Sequence, residues 1–181
     1  MGKPEAAPGT PWLAASVWPA GQRQTAPWDW LTHAGSLTQK LRGVAGDGFH
    51  VQVLREASAL LDAEDAALLE LAPGTRARLR EVHLCGTRPL VFGRTLAAAH
   101  GAARWLDRLG ARPLGDRVFG GAGTQRGEIE ISRLGAGDAL YRDALQGLRA
   151  APEHLWARRS VLDVQGTKLL IYECFLPGVR D

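Results

Sequence analysis

The feature that most restricts this chain is near its end, where "WARRSVLDVQGTKLLIYECFLP" (156–177) holds two long apolar-rich runs divided only by "QGTK". So short a turn returns a strand beside itself in the opposite sense, because a parallel partner needs a crossover of a dozen or more residues. The same logic applies to "LREVHLCG" (79–86) and "PLVFGRTL" (89–96), which are separated by "TR" and predict a tight hairpin. "FHVQVL" and "GEIEIS" alternate with the strand period as well. The expectation is an α+β fold, a single domain with an antiparallel β-sheet and flanking helices. At 181 residues and 45% hydrophobic, the chain is long enough for one such core.

Helices fill the intervals. Ser36 followed three residues later by Gln39 has the capping-box spacing, which predicts a helix from Leu37 to about Arg42, ended by Gly43 or Gly46. "DAEDAALLEL" carries acids in its first turn and Pro73 behind it, "HGAARWLDRLG" reads as a helix closed by Gly110, and "GDALYRDALQGLR" has helical propensity. Five of the ten prolines precede residue 28, so 1–27 reads as a poorly structured arm and 28–181 as the domain.

Other function classes find little support. The net charge is only +3 and the arginines are scattered, which argues against a nucleic-acid footprint. Cys85 and Cys174 each fall inside an apparent strand, as buried thiols of a reducing compartment do, so a cytoplasmic location is expected. No apolar run nears the roughly 18 residues of a membrane span. The five histidines never fall at metal-ligand spacing, and Ser36 and Ser160 lack a nucleophile-elbow setting. "GGAGTQRG" misses the dinucleotide fingerprint by one position and reads as a flexible loop. Of the two adjacent arginines in "WARRS", strand geometry allows at most one to serve a pocket and leaves the other solvated.

The informative residues are charges on apolar faces. By parity, Arg80 shares a face with Val82 and Leu84, and Glu173 shares one with Leu169, Ile171 and Phe175. Arg94 shares a face with Leu90, Phe92 and Leu96, which suggests a second arginine beside the first. An unpaired charge in a core costs several kcal/mol, roughly, so such groups pair with each other or serve a ligand. A structural Arg80–Glu173 ion pair, with Arg94 extended to the surface, and a ligand site are both open on parity alone.

The pieces "WLTHAGSLTQKL", "RLREVHLCG", "FGRTL", "LGARPLGDRVF", "IEISR", "LWARRS" and "LLIYECFLP", in this order, resemble the chorismate lyase family over most of residues 28–177. That resemblance implies a carbon–oxygen lyase that converts chorismate to 4-hydroxybenzoate and pyruvate, the opening step of ubiquinone synthesis, without a metal or other cofactor. It places substrate contacts at Arg80, Glu173, Leu37 and Leu114, the two leucines contributing largely through backbone groups. Arg80 is then assigned to a substrate carboxylate, and Glu173 to the ring hydroxyl, with burial raising its pKa toward base catalysis. Arg94 is assigned to the enolpyruvyl carboxylate or to the exit. The implied partners are chorismate and its aromatic product, with no nucleic acid and no membrane insertion, and the implied state is a monomer. The family fold is similar to the effector-binding domains of some bacterial regulators, so a non-catalytic carboxylate-binding domain is the competing reading. Such domains usually follow a DNA-binding helix-turn-helix, for which the 27 residues ahead of the first helix are too few.

Overall fold

The computed structural model describes residues 11–99, 102–120, 123–149 and 151–180. From the N-terminus run β1 (Leu13–Ala14), a 3-10 turn (Ala15–Val17), α1 (Ala20–Arg23), α2 (Trp28–Leu31) and α3 (Leu37–Ala45). Then come β2 (His50–Leu60), α4 (Ala63–Leu68), and the hairpin of β3 (Arg76–Cys85) and β4 (Pro89–Ala98). A 3-10 segment (Ala102–Arg108), α5 (Leu114–Phe119), β5 (Thr124–Arg126), β6 (Glu130–Leu134) and α6 (Ala139–Ala144) lead to the second hairpin. That hairpin is β7 (Leu155–Val164) and β8 (Thr167–Phe175), followed by a 3-10 turn (Pro177–Arg180).

The loop of the β7–β8 hairpin is only Gln165 and Gly166, both with left-handed backbone (φ 54° and 81°). Such a turn matches the twist of the strands it joins, so it sets their register. The strands form one antiparallel sheet in the order β1-β6-β7-β8-β4-β3-β2, with β5 also on β7. β5 and β6 pair with successive stretches of β7, Arg126 opposite Leu162 and Glu130 opposite Arg159, so they behave as one interrupted strand.

Both faces of the sheet are covered, which is why its central strands bury residues of either parity. One face carries Leu79, Phe92, Leu170 and Tyr172 against α4 and α6, through Ala66, Leu140 and Ala144. The other holds two clusters. Leu31 of α2 and Leu37 and Leu41 of α3 pack with Val51, Leu84 and Phe175. Leu106, Leu109 and Val118 pack with Leu162, Leu169 and Ile171.

The helix starts obey the local signals. The Ser36 side chain accepts the Gln39 backbone N–H at 3.3 Å, and α3 continues past Arg42 to close on Gly46 at φ 55°. Residues 102–108 wind as a 3-10 helix instead of the α-helix that the sequence suggests. Leu106 and Leu109, both buried, stand three residues apart, the repeat that a 3-10 turn stacks on one side.

The loose-arm expectation fails for residues 12–18. Leu13 pairs with Ile131, Trp18 is only 2% exposed and meets Trp156 edge-on at 5.6 Å, and Trp12 meets Tyr172 at 5.5 Å. The prolines keep the segment irregular, but the buried Trp18 and the partly buried Trp12 tie it to the sheet. Residues 1–10 lie outside the described residues.

Candidate active site

The two clusters on the second face leave a gap between α3 and α5, and a pocket fills it. These helices approach closely at Gly115, where an added Cβ would stand 2.5 Å from Thr38 Oγ1 and 2.9 Å from Ser36 Oγ. Leu37 and Leu114 are the first residues of their helices, so the backbone N–H groups at this end lack intrahelical acceptors. Leu37, Arg80, Leu114 and Glu173, which come from four separate segments, all line this one pocket. Val82, Leu84 and Ile171 supply apolar wall, and Gly93 leaves the floor between Val82 and Glu173 without a side chain. Phe175 is absent from the lining. Its ring instead backs Arg158, whose guanidinium carbon lies 5.9 Å from the ring centre.

Arg80 is 5% exposed, yet its guanidinium is braced on several sides. It donates to the carboxylate of Glu56, directly opposite on β2, and to the carbonyl of Gly110 at 2.6 Å. The side chain therefore reaches the pocket already fixed in position, which favours recognition of a carboxylate by its planar fork.

Glu173 does not pair with Arg80. Its partner is Arg158, opposite it on β7, which donates from Nε at 2.5 Å. Arg158 is 1% exposed, and its Nη1 donates to the carbonyls of Trp30 at 3.0 Å, Leu31 at 3.3 Å and His33 at 2.7 Å. Burial pushes the Glu173 pKa up, but the charges of Arg158 and Arg126 outweigh it and hold the carboxyl below its ordinary value. This overturns the expectation of a raised pKa: Glu173 is ionised, a strong hydrogen-bond acceptor.

Arg94 lies elsewhere. In the β3–β4 register it faces Glu81, while Thr95 faces Arg80, so Arg94 points to the opposite side of the sheet. There it binds Glu81 at 2.6 Å and Asp143 at 2.5 Å, and it takes no part in the pocket. Nor is the second arginine of "WARRS" solvated. Arg159 is 5% exposed, paired with Glu130 and Glu64 at 2.7 Å each and set over the Trp12 ring, because the face it points to is covered too.

Arg126, in the stretch that reads as a flexible loop, is a pocket residue that the sequence pattern hides. A three-residue strand flanked by glycines is too short for alternation to register, and only its pairing with β7 turns Arg126 inward.

A sequence model of the family described as chorismate lyase matches residues 16–180. A probable chorismate pyruvate-lyase of Azoarcus sp. (strain BH72) is 40% identical over 181 residues, covering 96% of this chain and 94% of the relative. Another, of Pseudomonas putida, is 38% identical over 157 residues, 84% of this chain and 82% of that one. Among solved structures, PhnF from Mycobacterium smegmatis superposes with a TM-score of 0.60 at 14% identity, over 83% of this chain and 67% of its own. A GntR family transcriptional regulator from Bacillus cereus gives 0.53 at 11% identity, over 75% and 96%. Identities this low speak for a shared fold alone.

Proposed function

This chain belongs to the chorismate lyase family, and we propose that the pocket between α3 and α5 is where it converts chorismate to 4-hydroxybenzoate and pyruvate. The observation that carries the reading is the placement of Arg80 and Glu173 along one apolar pocket. Their positions differ by two strands across the sheet and two residues along it, about 12 Å between Cα atoms at standard strand spacings. With both side chains projecting from the same face, that separation suits one six-membered ring with a carboxylate at one end and a hydroxyl at the other.

In this reading Arg80 holds the ring carboxylate, and backbone N–H groups at Leu37 and Leu114 add donors to it. Glu173 accepts the hydrogen bond of the 4-hydroxyl, and Arg158 keeps it ionised for that task. The hydrogen on C4 leaves as a proton, its electron pair forms the C3–C4 double bond, and the C3–O bond breaks toward the three-carbon group. The proton ends on the methylene carbon of that group, giving pyruvate, while the ring becomes aromatic. Aromatisation supplies much of the driving force, so positioning and electrostatics suffice and the chemistry requires no metal or redox cofactor. The enzyme so proposed works as a cytoplasmic monomer, with a small molecule and not a nucleic acid as its partner.

The test is direct. Metal-depleted protein given chorismate should form 4-hydroxybenzoate and pyruvate in equal amounts. Activity abolished by a chelator and restored by a metal would overturn the cofactor-free reading. Chorismate recovered unchanged from protein that binds 4-hydroxybenzoate would favour the non-catalytic effector-type domain that the fold also serves.

A further inference from the structure

Among the described residues three charged side chains line the pocket, Arg80, Glu173 and Arg126, and Arg126 has no task in the reaction as proposed. Arg126 is held by two hydrogen bonds, Nε to the Ala34 carbonyl at 3.2 Å and Nη1 to Ser160 Oγ at 2.5 Å, and lies 5.4 Å from the Phe119 ring centre. These partners orient the guanidinium without neutralising it. The neighbouring ion pairs join Arg80 to Glu56 and Arg158 to Glu173, and among the described residues no carboxylate forms one with Arg126. Among the described residues, three guanidiniums thus share two carboxylates, those of Glu56 and Glu173, in and beside the pocket. Glu173 acts on Arg126 through its charge but is hydrogen-bonded to Arg158, so the Arg126 guanidinium has no carboxylate in direct contact, and a half-buried cation so placed gains from an arriving anion.

The register says where that anion would sit. Arg80, Thr95, Ile171 and Ser160 form one row across β3, β4, β8 and β7, and Ser160 carries the Arg126 contact at the far end. Arg80 and Arg126 therefore stand at opposite ends of the row, with Arg126 on the Glu173 side. Chorismate has two carboxylates, one on the ring and one on the enolpyruvyl group, and the latter is attached next to the carbon that bears the hydroxyl. Resting on the function proposed above, we infer that Arg126 binds the enolpyruvyl carboxylate of chorismate and holds the three-carbon group while the C3–O bond breaks. The electron pair of that bond moves to the enolpyruvate oxygen beside this carboxylate, so the same guanidinium faces the charge as it develops. The Arg94 assignment made from sequence passes to Arg126, since Arg94 lies behind the sheet.

The product supplies the control, because 4-hydroxybenzoate keeps the ring carboxylate and lacks the second one. The experiment compares parent, Arg126→Gln and Arg126→Lys proteins in chorismate turnover and in calorimetric titration with 4-hydroxybenzoate. Arg126→Gln should lower kcat/KM for chorismate about 10- to 100-fold, the range expected for a charge-assisted hydrogen bond, while the product Kd stays within about threefold. Arg126→Lys should recover part of the loss. Product affinity falling as far as kcat/KM, or chorismate turnover unaffected in either variant, would overturn the inference. Should Arg126→Gln fail to fold, the same pair of measurements on Arg126→Lys decides, since the lysine keeps the charge and loses the fork. A parent protein inert toward chorismate would instead refute the proposed function, so the two failures are distinct.

Discussion

Glu173→Gln is expected to lower kcat about 100-fold or more per folded molecule, the scale on which a positioned acid–base or charged acceptor group contributes. The amide keeps the shape of the carboxylate but carries no charge, so the 4-hydroxyl loses its ionised acceptor. A second effect follows from Arg158. With Glu173 neutralised, a guanidinium that is 1% exposed keeps its three carbonyl acceptors and loses its counter-ion. Breaking a buried pair from one side costs about 3–5 kcal/mol, and the isosteric amide should place this variant toward the lower end. Urea denaturation gives the stability change, and active-site titration normalises the rate. A folded fraction that turns over at the parent rate would reduce Glu173 to a structural partner of Arg158.

Arg158→Gln should be the more destabilising of the two, by about 3–5 kcal/mol at neutral pH, because it strands an ionised carboxylate in the sheet. It should also change the sign of a pH dependence. In the parent, the folded-state pKa of Glu173 lies below its ordinary 4.5. The stability it contributes is complete above that value and is lost as the pH falls through the depressed one. Burial is the largest influence on this carboxyl, and without Arg158 it is opposed only by the charges of Arg126 and His33, so the pKa is expected to rise above its ordinary value. Stability from this group is then greatest in acid and declines as the pH rises through the raised pKa. The acid limb of kcat/KM should move up with it. Urea midpoints and initial rates measured from pH 4 to pH 8 check both effects. An acid limb in the same place as the parent's would show that Glu173 does not control the rate.

The antiparallel pairing was legible because "QGTK" and "TR" leave no room for a crossover. Alternation within a strand placed Arg80 on the face of Val82 and Leu84, and Glu173 on the face of Ile171. Parity does not give the phase between strands, however. It aligned Arg94 with Arg80, whereas the hairpin register sets Thr95 opposite Arg80 and sends Arg94 behind the sheet. The same gap hid the true partner of Glu173, since nothing short of the β7–β8 register tells Arg158 from Arg159. Both arginines of that pair are buried because helices or the N-terminal segment cover each face of β7, a fact of packing to which local sequence is blind. Arg126 was hidden for a third reason: its strand is three residues long, and its neighbours are those of a loop.

One pocket, with Arg80 at one end, is proposed to hold the substrate ring by its carboxylate. Titration of 4-hydroxybenzoate into parent and Arg80→Ala proteins of matched folded content tests it most directly. An affinity loss of about 10- to 150-fold is expected in Arg80→Ala, since a charge-assisted carboxylate contact is worth about 1.5–3 kcal/mol. Equal affinity in the two proteins would place the ring carboxylate elsewhere and contradict the assignment of this pocket.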